Sequence, residues 1–82
     1  MRTIERQVIE TLRRALSRPA GELIDQVDAM EGYVRTAQDL AVLRCELQAD
    51  FQMEIPAADA ARWRYVGNMV DYVVSRVDQR AA

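Results

Sequence analysis

Apolar residues recur at every third or fourth position in three separate stretches of this 82-residue chain. They are Ile4, Val8, Leu12 and Leu16 in the first stretch, Leu40, Leu43, Leu47 and Phe51 in the second, and Val66, Val70, Val73 and Val77 in the third. A helix with this spacing presents its apolar side chains on one face, which has to be buried. The pattern therefore predicts an all-α fold in which long amphipathic helices pack together.

Local signals place the ends of the first two helices. Thr3 can cap the first helix, and Pro19 with Gly21 is expected to end it. Thr36 and Asp39 form a variant of the capping box, in which each residue satisfies a free backbone N–H group at a helix start. The second helix should therefore begin there and run to the end of its apolar stripe.

Residues 19–36 read as a loop that is long for so small a domain, which hints at a role. Its larger apolar and aromatic residues are Leu23, Ile24, Val27, Met30 and Tyr33. Because these are spread along the loop, we expect it to lie against the helices. Further on, Pro56 suits the first position of a short third helix over residues 57–62, and the last helix is expected from Trp63 to Val77.

Composition bounds the class of protein. The length predicts one domain spanning residues 1–82, and a chain with half of its residues apolar and 29% charged is typical of a globular protein. The net charge of −2 gives no basic field that would attract nucleic acid. There is no apolar run of the roughly 20 residues that cross a membrane, so a cytoplasmic location and no membrane partner are predicted.

The residues needed for most catalytic chemistry are absent. The chain has no histidine, no lysine and one cysteine, so neither a cysteine-based metal site nor a cofactor site is predicted. Cys45 is mid-helix, away from the helix N-terminus that would activate a thiol, and it is interpreted as a small contact residue. Arg44 borders the buried stripe, so its head group must reach water or an acid, with Glu10 and Glu31 as candidates. An enzyme is the least favoured class.

Several short segments match one known family at a common spacing. They are Thr3-Ile4-Glu5, the stretch from Leu47 to Phe51 followed by Glu54-Ile55-Pro56, and Asp71-Tyr72-Val73. With these segments and its order of helices, the chain resembles the acyl carrier protein family over residues 3–77. The resemblance implies a four-helix bundle with three long helices, a short third helix and a long loop between the first two.

The defining motif of that family is replaced in this chain. Carriers open their second helix with Gly-x-Asp-Ser-Leu, and the serine holds a phosphopantetheine arm that carries the acyl group. Those five positions fall on Val34, Arg35, Thr36, Ala37 and Gln38. The attachment position is therefore Ala37, flanked by Thr36 and Gln38, and a methyl group cannot hold the arm.

Carriers of this family meet their enzymes through the second helix, usually with acidic residues. In this chain the positions expected to face solvent there are unusually apolar. Together with one aromatic residue outside the helix, the residues interpreted as partner-binding are Gln38, Ala41, Val42, Cys45, Ala49 and Trp63. We expect recognition to depend on apolar burial more than on charge.

The predicted function is a carrier-like protein without its attachment serine. It would dock onto or regulate protein partners in a fatty-acid, polyketide or peptide biosynthetic system. Two alternatives stay open at this point. In the first alternative, the chain is a genuine acyl or peptidyl carrier with an unusual attachment site. In the second, it is a helical dimerisation or adaptor module that forms a homodimer.

Overall fold

The computed structural model describes residues 3–81, and these residues form a bundle of helices. The elements are α1 (Thr3–Ala15), a single 3₁₀ turn (Met30–Gly32), α2 (Ala37–Phe51), α3 (Ala57–Ala60) and α4 (Val66–Ala81). Over this range there is no strand, only an isolated antiparallel bridge between Ala29 and Tyr65. The predicted all-α class with four helices, of which α3 is short, is confirmed.

The three apolar stripes meet in one core. α1 packs against both α2 and α4, and α2 also contacts α3. The most deeply buried side chains include Val8 and Leu12 of α1, Leu43 and Leu47 of α2, and Val66, Val70 and Val73 of α4. These are members of the stripes read from the sequence. Burial also explains how five valines are tolerated in α4, because packing outweighs their low helix propensity.

α1 ends earlier than Pro19 and Gly21 suggest. Its last helical residue is Ala15, and Ser17 adopts a left-handed backbone with φ of 55°. The N–H of Arg18 bonds the carbonyl of Arg13, and the N–H of Ser17 bonds that of Arg14. This is a Schellman ending, in which a left-handed residue lets two late carbonyls be satisfied. Serine occupies the position that glycine usually fills.

Only part of the loop between α1 and α2 packs against the helices. Ile24 and Met30 are buried in the core and Tyr33 is half-buried. In contrast, 93% of Leu23 and 77% of Val27 are exposed to solvent. The loop therefore lies against the helices, as expected, through Ile24, Met30 and Tyr33, while Leu23 and Val27 face solvent.

α4 begins three residues later than expected, at Val66 instead of Trp63. The segment before it pairs with the loop, as the N–H of Met30 bonds the carbonyl of Arg64 and the N–H of Val66 bonds that of Asp28. These bonds keep residues 64 and 65 out of the helix. Likewise α3 covers residues 57–60, with Pro56 as its N-cap, instead of residues 57–62.

Candidate functional site: the outer face of the second helix

Backbone N–H groups at the start of α2 are capped by side chains of the chain itself. Thr36 is the N-cap, and its Oγ1 accepts a hydrogen bond of 3.0 Å from the N–H of Asp39. The carboxylate of Asp39 in turn accepts from the N–H of Arg35 at 3.1 Å. Ala37 is the first helical residue and is exposed. The structure therefore places Ala37, the position that the resemblance equates with the attachment serine, at a solvent-facing helix start, with the neighbouring Thr36 hydroxyl engaged in capping.

α2 is apolar on its inward face and, to a smaller extent, on its outward face. The inward face is built from Leu43, Leu47 and Phe51, all of them buried, and from the half-buried Leu40. All five α2 residues interpreted as partner-binding are exposed: Gln38, Ala41, Val42, Cys45 and Ala49. Val42 is the largest apolar side chain among them and is 37% exposed. We call these five residues the outer face of α2.

Two acidic residues beside the outer face, Glu46 and Asp50, form ion pairs with a residue of α1. Arg14 pairs with Asp50 at 2.6 Å and with Glu46 at 3.0 Å. The Thr11 hydroxyl lies 2.6 Å from the Asp50 carboxylate and 2.9 Å from the carbonyl of Gln7, and its single proton goes to the charged acceptor. The hydrogen bond from Thr11, followed by that from Arg14, lowers the pKa of Asp50. Two carboxylates are therefore partly neutralised by an intramolecular cation, which weakens the acidic field beside this face.

Trp63 lies apart from the outer face and is more buried than a surface contact residue. Only 9% of it is exposed, and its ring meets that of Tyr72 edge-to-face with centroids 5.5 Å apart. The Tyr72 hydroxyl donates to Asp59 at 2.8 Å, and the Arg76 guanidinium lies 4.7 Å above the Tyr72 ring. Most of Trp63 is thus used in the core. A partner can reach only the small exposed part of the ring, which borders one groove with Arg62 and Tyr72 and another with Arg64 and Tyr65.

Arg44 is satisfied by the backbone and not by an acid. Its Nη1 donates a hydrogen bond of 3.0 Å to the carbonyl of Ile55, just before Pro56. The suggested pairing with Glu10 or Glu31 is therefore wrong. The Gln48 side-chain oxygen accepts from the Ile55 N–H at 2.8 Å, so α2 holds both backbone groups of that residue. Arg44 and Gln48 fix the connection to α3, a role that spacing along α2 alone does not reveal.

The single cysteine and the two serines of the chain lie on different elements. Cys45 is exposed in the middle of α2, Ser75 is exposed on α4, and Ser17 lies in the turn after α1. Across residues 3–81, no group of three or more cysteine, aspartate or glutamate side chains is arranged to hold a metal ion. In the same part of the chain, every helix falls short of the length and apolarity needed to cross a membrane.

No model of a known protein family matches this chain, and no curated protein sequence matches it either. The resemblance to acyl carrier proteins therefore stays a prediction from the sequence. The positions of the outer-face residues agree with the exposure expected of them, while their role in binding a partner is untested. The exposure of Leu23 and Val27 was not predicted from the sequence. The spacing of the loop's apolar residues does not distinguish those that anchor the loop from those that face solvent.

Proposed function

We propose that this chain is a carrier-like protein without a phosphopantetheine attachment site, and that it acts by docking onto protein partners. Those partners are enzymes or true carriers of a fatty-acid, polyketide or peptide biosynthetic system. One observation chiefly supports the proposal. An exposed alanine, Ala37, stands at the first residue of α2, where the carriers that this chain resembles have their serine.

The proposed mode of docking is burial of the outer face of α2. Ala41, Val42, Cys45 and Ala49 leave apolar area in water that a partner can cover. Each Å² of apolar surface removed from water stabilises a complex by roughly 25 cal/mol before ordering costs. Since Arg14 partly neutralises Glu46 and Asp50, this face attracts a basic partner less than a row of free carboxylates would.

The absence of a covalent arm is tested by intact mass spectrometry. The chain is incubated with coenzyme A and a phosphopantetheinyl transferase of broad specificity, with an authentic acyl carrier protein in the same tube as positive control. We expect the authentic carrier to gain the mass of the arm and this chain to stay unchanged. A mass gain on this chain would overturn the proposal and favour a genuine carrier with an unusual attachment site.

The docking face is tested by charge insertion. Val42→Glu and Ala49→Glu place a carboxylate on exposed positions of α2, so folding should survive while binding to partners captured from the native cell weakens. Ser75→Glu, an exposed small-residue change on α4, is the matched control and should bind like the unmodified chain. Equal binding by all three variants would remove the outer face of α2 from the proposal.

A further inference from the structure

A shallow groove lies between α1 and the start of the long loop and contains no residue of α2. Its walls are Arg6, Ile9, Glu10 and Arg13 from α1 and Leu23, Ile24 and Asp25 from the loop. Ile9 and Ile24 are core residues that supply the apolar part of the groove. Leu23 stands at its edge with 93% of its surface in water, more than any other large apolar side chain of residues 3–80.

Leu23 is held in this exposed position by its neighbours on both sides. The Glu22 carbonyl accepts from Nε and Nη2 of Arg13 at 3.2 and 2.6 Å, and the Glu22 carboxylate is bound by Arg18 at 2.5 Å. On the other side, Ile24 is buried in the core. Since the backbone around Leu23 is already fixed, little ordering entropy would be lost when the side chain is covered. The exposed Leu23 side chain thus lies beside the apolar hollow formed by Ile9 and Ile24, on a backbone that is held in place.

The charges of the groove include one of each sign without an ionic partner. Arg13 pairs with Glu10. Arg6 forms no ion pair within residues 3–81, and Asp25 uses one carboxylate oxygen only to accept from the N–H of Val27 at 3.2 Å. A purely acidic or purely basic partner would satisfy only one of these two groups. A second copy of the same surface offers Asp25 to Arg6 and Arg6 to Asp25.

We propose that two copies of the chain associate through this groove about a two-fold axis. Leu23 of each copy enters the hollow of the other, beside Ile9 and Ile24, and Arg6 of each copy faces Asp25 of the other. This is an isologous contact, which requires a surface complementary to itself. The groove is smaller than the roughly 800 Å² per partner of a stable interface, so the dimer dissociates on dilution. The contact is independent of the outer face of α2 and leaves that face open.

Sedimentation velocity over a wide range of protein concentration tests the dimer. The unmodified chain should pass from monomer to dimer as concentration rises, and Leu23→Asp should raise the dissociation constant about tenfold or more. Val27→Asp, at an exposed loop position outside the groove, is the matched control and should leave the constant unchanged. Circular dichroism confirms that the variants fold. A chain that stays monomeric throughout would overturn the proposal, as would Val27→Asp or Val42→Glu weakening the dimer as much as Leu23→Asp.

A charge exchange tests the pairing itself. Arg6→Asp and Asp25→Arg should each weaken the dimer, because each places two like charges opposite one another, and the double variant should recover it. Failure of the double variant to recover would overturn the pairing of Arg6 with Asp25. Amide spectra recorded on dilution should change at residues 6–13 and 22–25, and changes confined to α2 would contradict the proposed surface.

Discussion

Within residues 3–81, two non-glycine residues occupy backbone conformations that suit glycine better. Ser17, after α1, has φ of 55°, and Gln52, after α2, has φ of 50°. Both follow the last turn of a long helix and close it. Gln52 is held further by Arg80, whose Nη1 donates to its carbonyl at 3.0 Å. Within the described residues, no such side-chain contact holds Ser17 in place. A substitution at Ser17 therefore changes the backbone strain without breaking another contact.

Ser17→Gly is therefore expected to stabilise the chain. Relief of left-handed strain in a non-glycine residue exceeds the extra entropy that glycine adds to the unfolded chain, leaving a net gain of about 0.5–1 kcal/mol. Urea unfolding of both proteins measures the difference in the free energy of unfolding. Ser75→Gly, within α4, is the control and should lose about 0.5 kcal/mol through helix propensity. A loss of stability for Ser17→Gly would show that the serine at this turn is not strained.

At the scale of helices, both ends of α2 were predicted well. α2 starts and stops where the Thr36–Asp39 pair and the apolar stripe indicate, because those signals act within one turn. The start of α4 was predicted wrongly, since it depends on hydrogen bonds to residues 26–30, far away in sequence. The same distinction applies to the candidate site. Exposure of the outer face of α2 follows from helical periodicity, whereas exposure of Leu23 depends on how an irregular loop is anchored.

Gly67 is where the loop and α4 come closest. Its N–H bonds the carbonyl of Gln26 at 2.8 Å, and a Cβ atom added to Gly67 would lie 3.1 Å from that same oxygen. A glycine in the first turn of a helix is otherwise unfavourable. The close approach of the loop backbone accounts for a glycine at this position.

Gly67→Val should therefore destabilise the fold by about 1–3 kcal/mol, the usual cost of overpacking. Valine has a better helix propensity than glycine, so a loss cannot come from the helix itself. Urea unfolding gives the loss, and hydrogen exchange at the amides of residues 66 and 67 should accelerate. Gly21→Val is the control, because nothing lies within 4 Å of a Cβ built there. Equal stability of the two variants would mean that the loop backbone moves to make room for the valine with no loss in the free energy of unfolding.

At the scale of the whole molecule, one network joins the start of the long loop, just after α1, to its end near Tyr33. The Tyr33 hydroxyl donates to the Asp28 carboxylate at 2.7 Å, and the Arg18 guanidinium lies 5.1 Å from the centre of the Tyr33 ring. Arg18 also binds Glu22, close to Leu23. The loop that carries the proposed dimer contact is thus held by the same groups that titrate. The stability that this network gives to the loop should therefore decrease at both low and high pH.

The pKa shifts of Asp28 and Tyr33, the hydrogen-bonded pair of this network, have opposite signs. The hydrogen bond from the Asp25 N–H, then that from Tyr33, lowers the pKa of Asp28. Burial, then the hydrogen bond to Asp28, raises the pKa of Tyr33 to about 12. Asp28 therefore adds stability that is present above about pH 4 and lost as the pH falls through its lowered pKa. Tyr33 adds stability that is present below about pH 10 and lost as the pH rises towards 12.

Tyr33→Phe separates these contributions from the rest of the chain. The variant keeps the ring under Arg18 but removes both the phenol proton and the bond to Asp28, so the difference in free energy of unfolding between the two proteins should be greatest near neutral pH. It should shrink below about pH 4, as Asp28 is protonated, and above about pH 10, as the phenol ionises in the unfolded chain. Chemical denaturation across this range measures the difference. Tyr72, whose pKa is also raised by burial, titrates in both proteins and cancels. A difference that stays constant with pH would show that the Tyr33 hydroxyl does not bind a charged Asp28.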